Sequence, residues 1–268
     1  MKRLREIRCF MLDMDGTVYL GDRLLPGALA FQRYLAQTGR EAVFVTNNSS
    51  NSAAHYAEKL SRLGWTAMPE AILTAGQATA YYLRACRPPA PKVFLLGTPA
   101  LAAEMTALGV QLTATAPDYV VLGFDMTLTY EKLVQACRFL RAGVPFVATH
   151  PDINCPTESG YIPDCGAMTA LLQASTGVAP KVIGKPNPEM IEAMLQKKPQ
   201  TPKAQLAMVG DRLYTDIAMG KAAAIASILV LSGETQPGDL RQSAVQPDFV
   251  FADLGALAQA LASDDAAD

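Results

Sequence analysis

Short apolar runs of strand length alternate with longer stretches of helical period along most of the chain. The first run, Cys9-Phe10-Met11-Leu12, ends abruptly in Asp13-Met14-Asp15-Gly16-Thr17. Residues 8–12 read as a strand, and 27–38 as a helix stopped by Gly39. Glu41–Thr46 reads as a second strand with polar residues at its end. A helix over 51–63 follows, with Ser49, Ser50 and Asn51 as caps and Gly64 as the stop. This β-α-β-α order predicts a parallel sheet with right-handed crossovers.

A second alternating block begins after the proline-rich stretch Arg87–Pro91. It reads as strand 93–96, helix 99–108, strand 119–123, helix 129–141 and strand 145–149. A long polar loop, His150 to Asp164, and a helix over 165–176 complete it. The third block starts at Lys181 and reads as helix 188–197, strand 206–209, helix 215–223 and strand 228–231. A last strand–helix pair runs from Phe249, and the acidic tail 263–268 is expected to fray. The fold class is therefore α/β: a Rossmann-like parallel-sheet core with a second, inserted α/β domain. The expected boundaries are 1–76 with 180–268 for the core, and 77–179 for the insertion.

Composition narrows the picture. At 268 residues, with 50% hydrophobic and 18% charged positions, the chain has ample material for a packed core. A net charge of −2 lacks the basic footprint of a nucleic-acid binder. The five cysteines are odd in number and none has CxxC spacing, which predicts free or buried thiols in a reducing compartment. No run approaches the length of a membrane span, and a cytoplasmic protein is the expectation.

The chemistry gathers at strand ends. Two carboxylates spaced two apart would lie on the same side of an extended strand. Delivering both at the end of a buried strand is costly unless a cation or a reaction uses them. Three further strand ends finish in Thr46-Asn47-Asn48, in Gly184-Lys185-Pro186, and in Gly210-Asp211-Arg212-Leu213-Tyr214-Thr215-Asp216. A parallel sheet gathers such ends on one edge. Together they supply what phosphoryl transfer needs: a carboxylate nucleophile, an acid–base partner, hard oxygen ligands for Mg²⁺, and groups for the phosphoryl oxygens.

In order and spacing, these four pieces resemble the motifs of the haloacid dehalogenase (HAD) superfamily of phosphatases. Val45–Ser50, Ile183–Pro188 and Leu229–Gly233 are similar to its subclass IIA, the NagD/4-nitrophenylphosphatase-like branch. The resemblance covers essentially the whole chain, and residues 77–179 sit where that branch carries a large cap. It implies Asp13 as nucleophile and Asp15 as general acid/base. It implies phosphoryl binding by Thr46, Asn47 and Lys185. Mg²⁺ would be held by Asp13, the backbone carbonyl of Asp15, and Asp211, with Asp216 behind them. The implied activity is hydrolysis of a small phosphorylated metabolite through an aspartyl-phosphate, with 4-nitrophenyl phosphate as an artificial substrate. A phosphotransferase or phosphomutase, or a silent sensor of a phosphorylated ligand, uses the same residues and remains the alternative. A homodimer formed through the cap is a family-level expectation.

Each residue also has a plainer reading. Asp13 and Asp15 could cap a turn, Thr46 and Asn47 a helix, and Lys185 could be a solvated loop lysine. His150 stands where the family usually has an asparagine or small polar residue. A lone histidine at a strand end is commonly structural, yet His150 opens the loop that this branch folds over its active site. His150 and Asp152 are therefore the candidates for touching substrate, with Asn154, Thr157 and Glu158 in the same loop. His55 is expected to be exposed, and Trp65 to pack.

Overall fold

In the computed structural model, which describes residues 3–87, 89–157 and 160–266, strand Cys9–Leu12 is an inner strand of a six-stranded sheet. All four of its residues are buried, as the continuous apolar run requires of a strand covered on both faces. It lies parallel between Glu41–Thr46 and Leu206–Gly210, with Leu12 level with Phe44 on one side and Val209 on the other. Ala226–Val230 and Phe249–Phe251 extend the sheet in parallel on one side, and Ile72–Thr74 closes the other.

The contacts divide the chain into two compact units. The first comprises Met1–Thr46, Ala53–Leu73 and Leu195–Asp268, and the second Asn47–Ser52 with Thr74–Met194. In the first unit, helix Ala28–Thr38 ends at Gly39 in a left-handed conformation, as the sequence predicts. Its Phe31 meets Phe10 edge-on at 5.2 Å between ring centres. Trp65 packs the same way on Phe44, at 5.1 Å, and His55 is exposed. These contacts join one continuous apolar core.

The second unit has its own five-stranded sheet, ordered Lys181–Val182, Phe146–Ala148, Tyr119–Leu122, Lys92–Leu96 and Gln111–Leu112. The four pairs are parallel. Helices Tyr130–Arg141 and Cys165–Thr176 cover a separate apolar cluster built on Leu96, Val120, Leu122 and Leu172. This division is wider than the 77–179 expected for the insertion. Lys181–Val182 is the edge strand of the second sheet, and Asn47–Ser52 hydrogen-bonds within the second unit.

Several elements differ from the sequence reading. Helix Ala75–Cys86 follows the edge strand Ile72–Thr74 with no break between them; Thr74 both ends the strand and caps the helix by accepting the Gln77 N–H. The polar segment after His150 is not all loop, since Asn154–Thr157 and Gly160–Pro163 pair as an antiparallel hairpin. Glu158 lies outside the described residues. The described part of the acidic tail, residues 263–266, is docked instead of frayed. Helix Leu254–Asp265 runs to its end, where Asp265 binds the buried Arg40 guanidinium at 2.6 and 2.8 Å and accepts from Tyr34 at 2.6 Å. All five cysteines are free, and burial pushes the Cys9 thiol up to about 12. Among the described residues no helix is long and apolar enough to cross a membrane.

Candidate active site

The first unit assembles a carboxylate cluster at the ends of two adjacent strands. Asp13 directly follows Cys9–Leu12, and its N–H still bonds the Val209 carbonyl at 2.9 Å, as if the strand continued. Asp211 follows the neighbouring strand Leu206–Gly210. The chain then makes one wide helical turn, Leu213–Ile217, which brings Asp216 back beneath the strand end. Asp13, Asp211 and Asp216 each offer a carboxylate oxygen, and the three atoms lie within 4.8 Å of one another. Asp13 is half-buried, while Asp211 and Asp216 are buried.

The turn after Asp13 is shaped by glycine. Gly16 has φ of +85°, and a Cβ there would collide with the Asp211 carboxylate. Only a residue with no side chain allows the turn to lie so near that acid. Ser232 Oγ donates to the Gly16 carbonyl at 2.9 Å and fastens the turn to the loop after Ala226–Val230. The same loop supplies the Glu234 N–H to Asp211 Oδ2 at 2.7 Å. Asp216 in turn accepts the Arg212 N–H at 3.2 Å.

Asp15 stays exposed and is not one of the three clustered acids. It neighbours the buried Tyr19 phenol. Burial first, and then the negative charge of Asp15, raise the Tyr19 pKa, so the phenol remains a proton donor. Burial works against the Arg212 cation, yet Asp13, Tyr214, Glu234 and Asp211 outweigh it and raise the Arg212 pKa. Arg212 Nε lies 2.9 Å from Glu234, which also accepts from the exposed Tyr214 hydroxyl at 2.8 Å. Arg212, Tyr214 and Glu234 were not singled out from sequence. The first two lay inside the quoted motif, masked by its two acids.

The donor set suits a hard divalent cation. Three carboxylates drawn together repel one another unless a cation sits among them, and oxygen is the ligand Mg²⁺ prefers. Asp13 and Asp211 could hold such an ion, with Asp216 behind them.

Thr46 is buried at the end of the strand next to Cys9–Leu12. Asn47 and Lys185 are brought together within the second unit. Asn47 Oδ1 accepts the Lys185 N–H at 2.8 Å, and its Nδ2 donates to the Lys185 carbonyl at 3.1 Å. Asp152 is half-buried and accepts from Asn47 Nδ2 at 3.2 Å on each oxygen. His150 is fully buried, with one ring nitrogen on Thr149 and the other on Asp164.

Known proteins match this chain over nearly its whole length. A model of haloacid dehalogenase-like hydrolases matches residues 10–111, and a HAD-hydrolase-like model matches 182–257. An acid sugar phosphatase of Staphylococcus aureus is 36% identical over 252 residues, covering 94% of this chain and 96% of its own. The crystal structure of a 4-nitrophenylphosphatase from Thermotoga maritima superposes with a TM-score of 0.91 at 49% identity, covering 96% and 98% of the two chains. A glycerol phosphate phosphatase from Mycobacterium tuberculosis, crystallised with magnesium, superposes at 0.88 with 36% identity, over 97% of this chain and 79% of that one.

Proposed function

Because the chain belongs to the haloacid dehalogenase superfamily, in its NagD/4-nitrophenylphosphatase-like subclass IIA, and is a phosphatase hydrolase, we propose that it hydrolyses a small phosphorylated metabolite through an aspartyl-phosphate on Asp13, with Mg²⁺ as cofactor. The observation that carries this reading is the meeting of Asp13, Asp211 and Asp216 beside a turn that presents a second, exposed acid, Asp15.

In this mechanism an Asp13 oxygen attacks phosphorus as the bond to the leaving oxygen breaks. Asp15 gives its proton to that oxygen, so the alcohol departs neutral. Asp15, now a carboxylate, takes a proton from water as it attacks phosphorus. The acyl–phosphate bond breaks, and Asp13 returns as a carboxylate with inorganic phosphate. The Thr46 hydroxyl, the Asn47 N–H and the Lys185 ammonium serve the phosphoryl oxygens, where negative charge is held through both steps. Bound Mg²⁺ supplies charge neutralisation between the carboxylates and the phosphate. The first unit is assigned the acids, and the second, besides Asn47 and Lys185, the selection of substrate.

A sugar phosphate or polyol phosphate is the favoured substrate class, because relatives that match nearly all of this chain are named acid sugar phosphatase and glycerol phosphate phosphatase. The test is phosphate release from a panel of phosphate monoesters, with Mg²⁺ and with EDTA, using wild type and Asp13→Asn. Metal-dependent release by wild type, absent from a folded Asp13→Asn variant, is expected. Equal release by the two proteins would remove Asp13 from the nucleophile's role. Transfer to an added alcohol without net phosphate release would point to a phosphotransferase.

A further inference from the structure

His150 sits in a directed chain of buried hydrogen bonds within the second unit. Its Nε2 is 2.9 Å from Asp164 Oδ1, and its Nδ1 is 2.9 Å from the Thr149 hydroxyl. That hydroxyl lies 3.0 Å from Ser49 Oγ, which accepts the Phe124 N–H at 2.9 Å. Asp164 also caps helix Cys165–Thr176, accepting the Cys165 N–H at 2.6 Å. A carboxylate only accepts, so the proton on Nε2 faces Asp164, and in the neutral imidazole Nδ1 is left as the acceptor. Nδ1 then accepts from Thr149, and Thr149 accepts from Ser49. Each hydroxyl donates once, and the chain runs one way from Phe124 to Asp164. Cys165 does not compete strongly. Burial pushes its thiol up to about 11, and the sulfur lies 3.7 Å from the Thr149 hydroxyl.

The near end of this chain lies beside the phosphate-binding pair. Ser49 is two residues from Asn47, whose side chain brackets the Lys185 backbone from both sides. Gly184 donates its N–H to the Thr149 carbonyl at 2.7 Å. A Cβ on Gly184 would lie 2.7 Å from Asn47 Oδ1 and 2.8 Å from His150 Cβ, so three chain segments meet there without slack. His150, Asp152 and Asp164 also present ligand atoms within 4.8 Å of one another. Hydrogen bonds account for that group without a cation, since both imidazole nitrogens and the Asp152 carboxylate are engaged.

We propose that His150 is a positioning residue: through Thr149 and Ser49 it holds the segment carrying Asn47, and so the Lys185 backbone, in place for the phosphoryl group. The proposal rests on Asn47 and Lys185 binding that group, as proposed above. The phosphoryl group is common to every substrate. Loss of the device therefore weakens all esters alike, whereas a residue that reads the leaving group would reorder them.

Two near-isosteric variants separate the ring nitrogens. His150→Asn keeps a polar atom near Nδ1, and His150→Gln keeps one near Nε2. The readouts are kcat/KM with Mg²⁺ on 4-nitrophenyl phosphate and on a sugar phosphate, and inhibition by inorganic phosphate. In His150→Gln the Thr149 link is lost, and both kcat/KM values fall by the same factor, about 10²-fold for a displacement near 1 Å. Phosphate inhibits that variant more weakly. His150→Asn recovers most of the activity, and Ser49→Ala, which leaves the Asp164 cap intact, behaves like His150→Gln. Near-normal kinetics in folded His150→Gln and Ser49→Ala, or a changed order of the two esters, overturns the proposal. If wild type releases no phosphate from either ester, the parent phosphatase reading fails and takes this one with it.

Discussion

At the scale of single residues, environment separates acids that look alike in the sequence. Asp13 is half-buried against Asp211 and Asp216, and Asp15, two positions on, is exposed. A proton-transferring acid must reach both solvent and the leaving oxygen, and the exposed position suits that task. Asp15→Asn is expected to lower kcat by about 10²–10⁴-fold, the usual scale of acid–base catalysis. Steady-state assays at saturating Mg²⁺ measure it, and an unchanged rate would reassign the role. His150 shows the opposite lesson. Its place at the opening of a polar loop suggested a substrate contact, yet both nitrogens of its ring are used inside the fold. No feature of one sequence announces that His150 will bond Asp164 or that Thr149 beside it will bond Ser49, which lies far away along the chain.

Among elements, those with strong period and clear stops were legible. Helix Ala28–Thr38 ends at Gly39 and strand Glu41–Thr46 follows, as apolar spacing and glycine predict. The paired strands Asn154–Thr157 and Gly160–Pro163 escaped, because their described residues are mostly exposed and no buried face imposed a period of two. The acidic end of the last helix differs from expectation for a related reason. Acidic ends look solvated, but Asp265 meets Arg40, whose side chain is 1% exposed while that of Asp265 is 32% exposed. The Arg40 hydrogen bond first, and then that of Tyr34, hold the Asp265 carboxyl well below the usual range. A folded-state pKa below the unfolded one means that its stabilisation is present at neutral pH and lost as the medium is acidified. Asp265→Asn is expected to destabilise the protein by about 1–3 kcal/mol at pH 7, less than a fully buried pair because Asp265 is partly solvated. The gap should narrow below about pH 4, where the unfolded chain protonates the carboxylate. Urea unfolding at pH 7 and pH 3 tests this, and a gap independent of pH would remove Asp265 from the account.

At the scale of the whole molecule, Asp13 and Asp211 stand nearly 200 positions apart, and parallel pairing of their strands makes them neighbours. An ion held by both would bind the folded chain and not the unfolded one. Saturation at about 100 times Kd would add about 2.7 kcal/mol to stability. Thermal melts with Mg²⁺ and with EDTA should therefore differ in wild type, and the difference should vanish in Asp211→Asn; a shift that survives the substitution would place the ion elsewhere. The sequence by itself determined the α/β class, the strands that carry Asp13, Thr46 and Asp211, and the phosphatase motifs, because those features are written in local period and short spacing. Tertiary structure alone decided that Lys181–Val182 closes the second sheet, that Asp265 anchors on Arg40, and that His150 faces inward. Those outcomes depend on partners distant in the chain, and burial and hydrogen-bond satisfaction select them only once the sheets have formed.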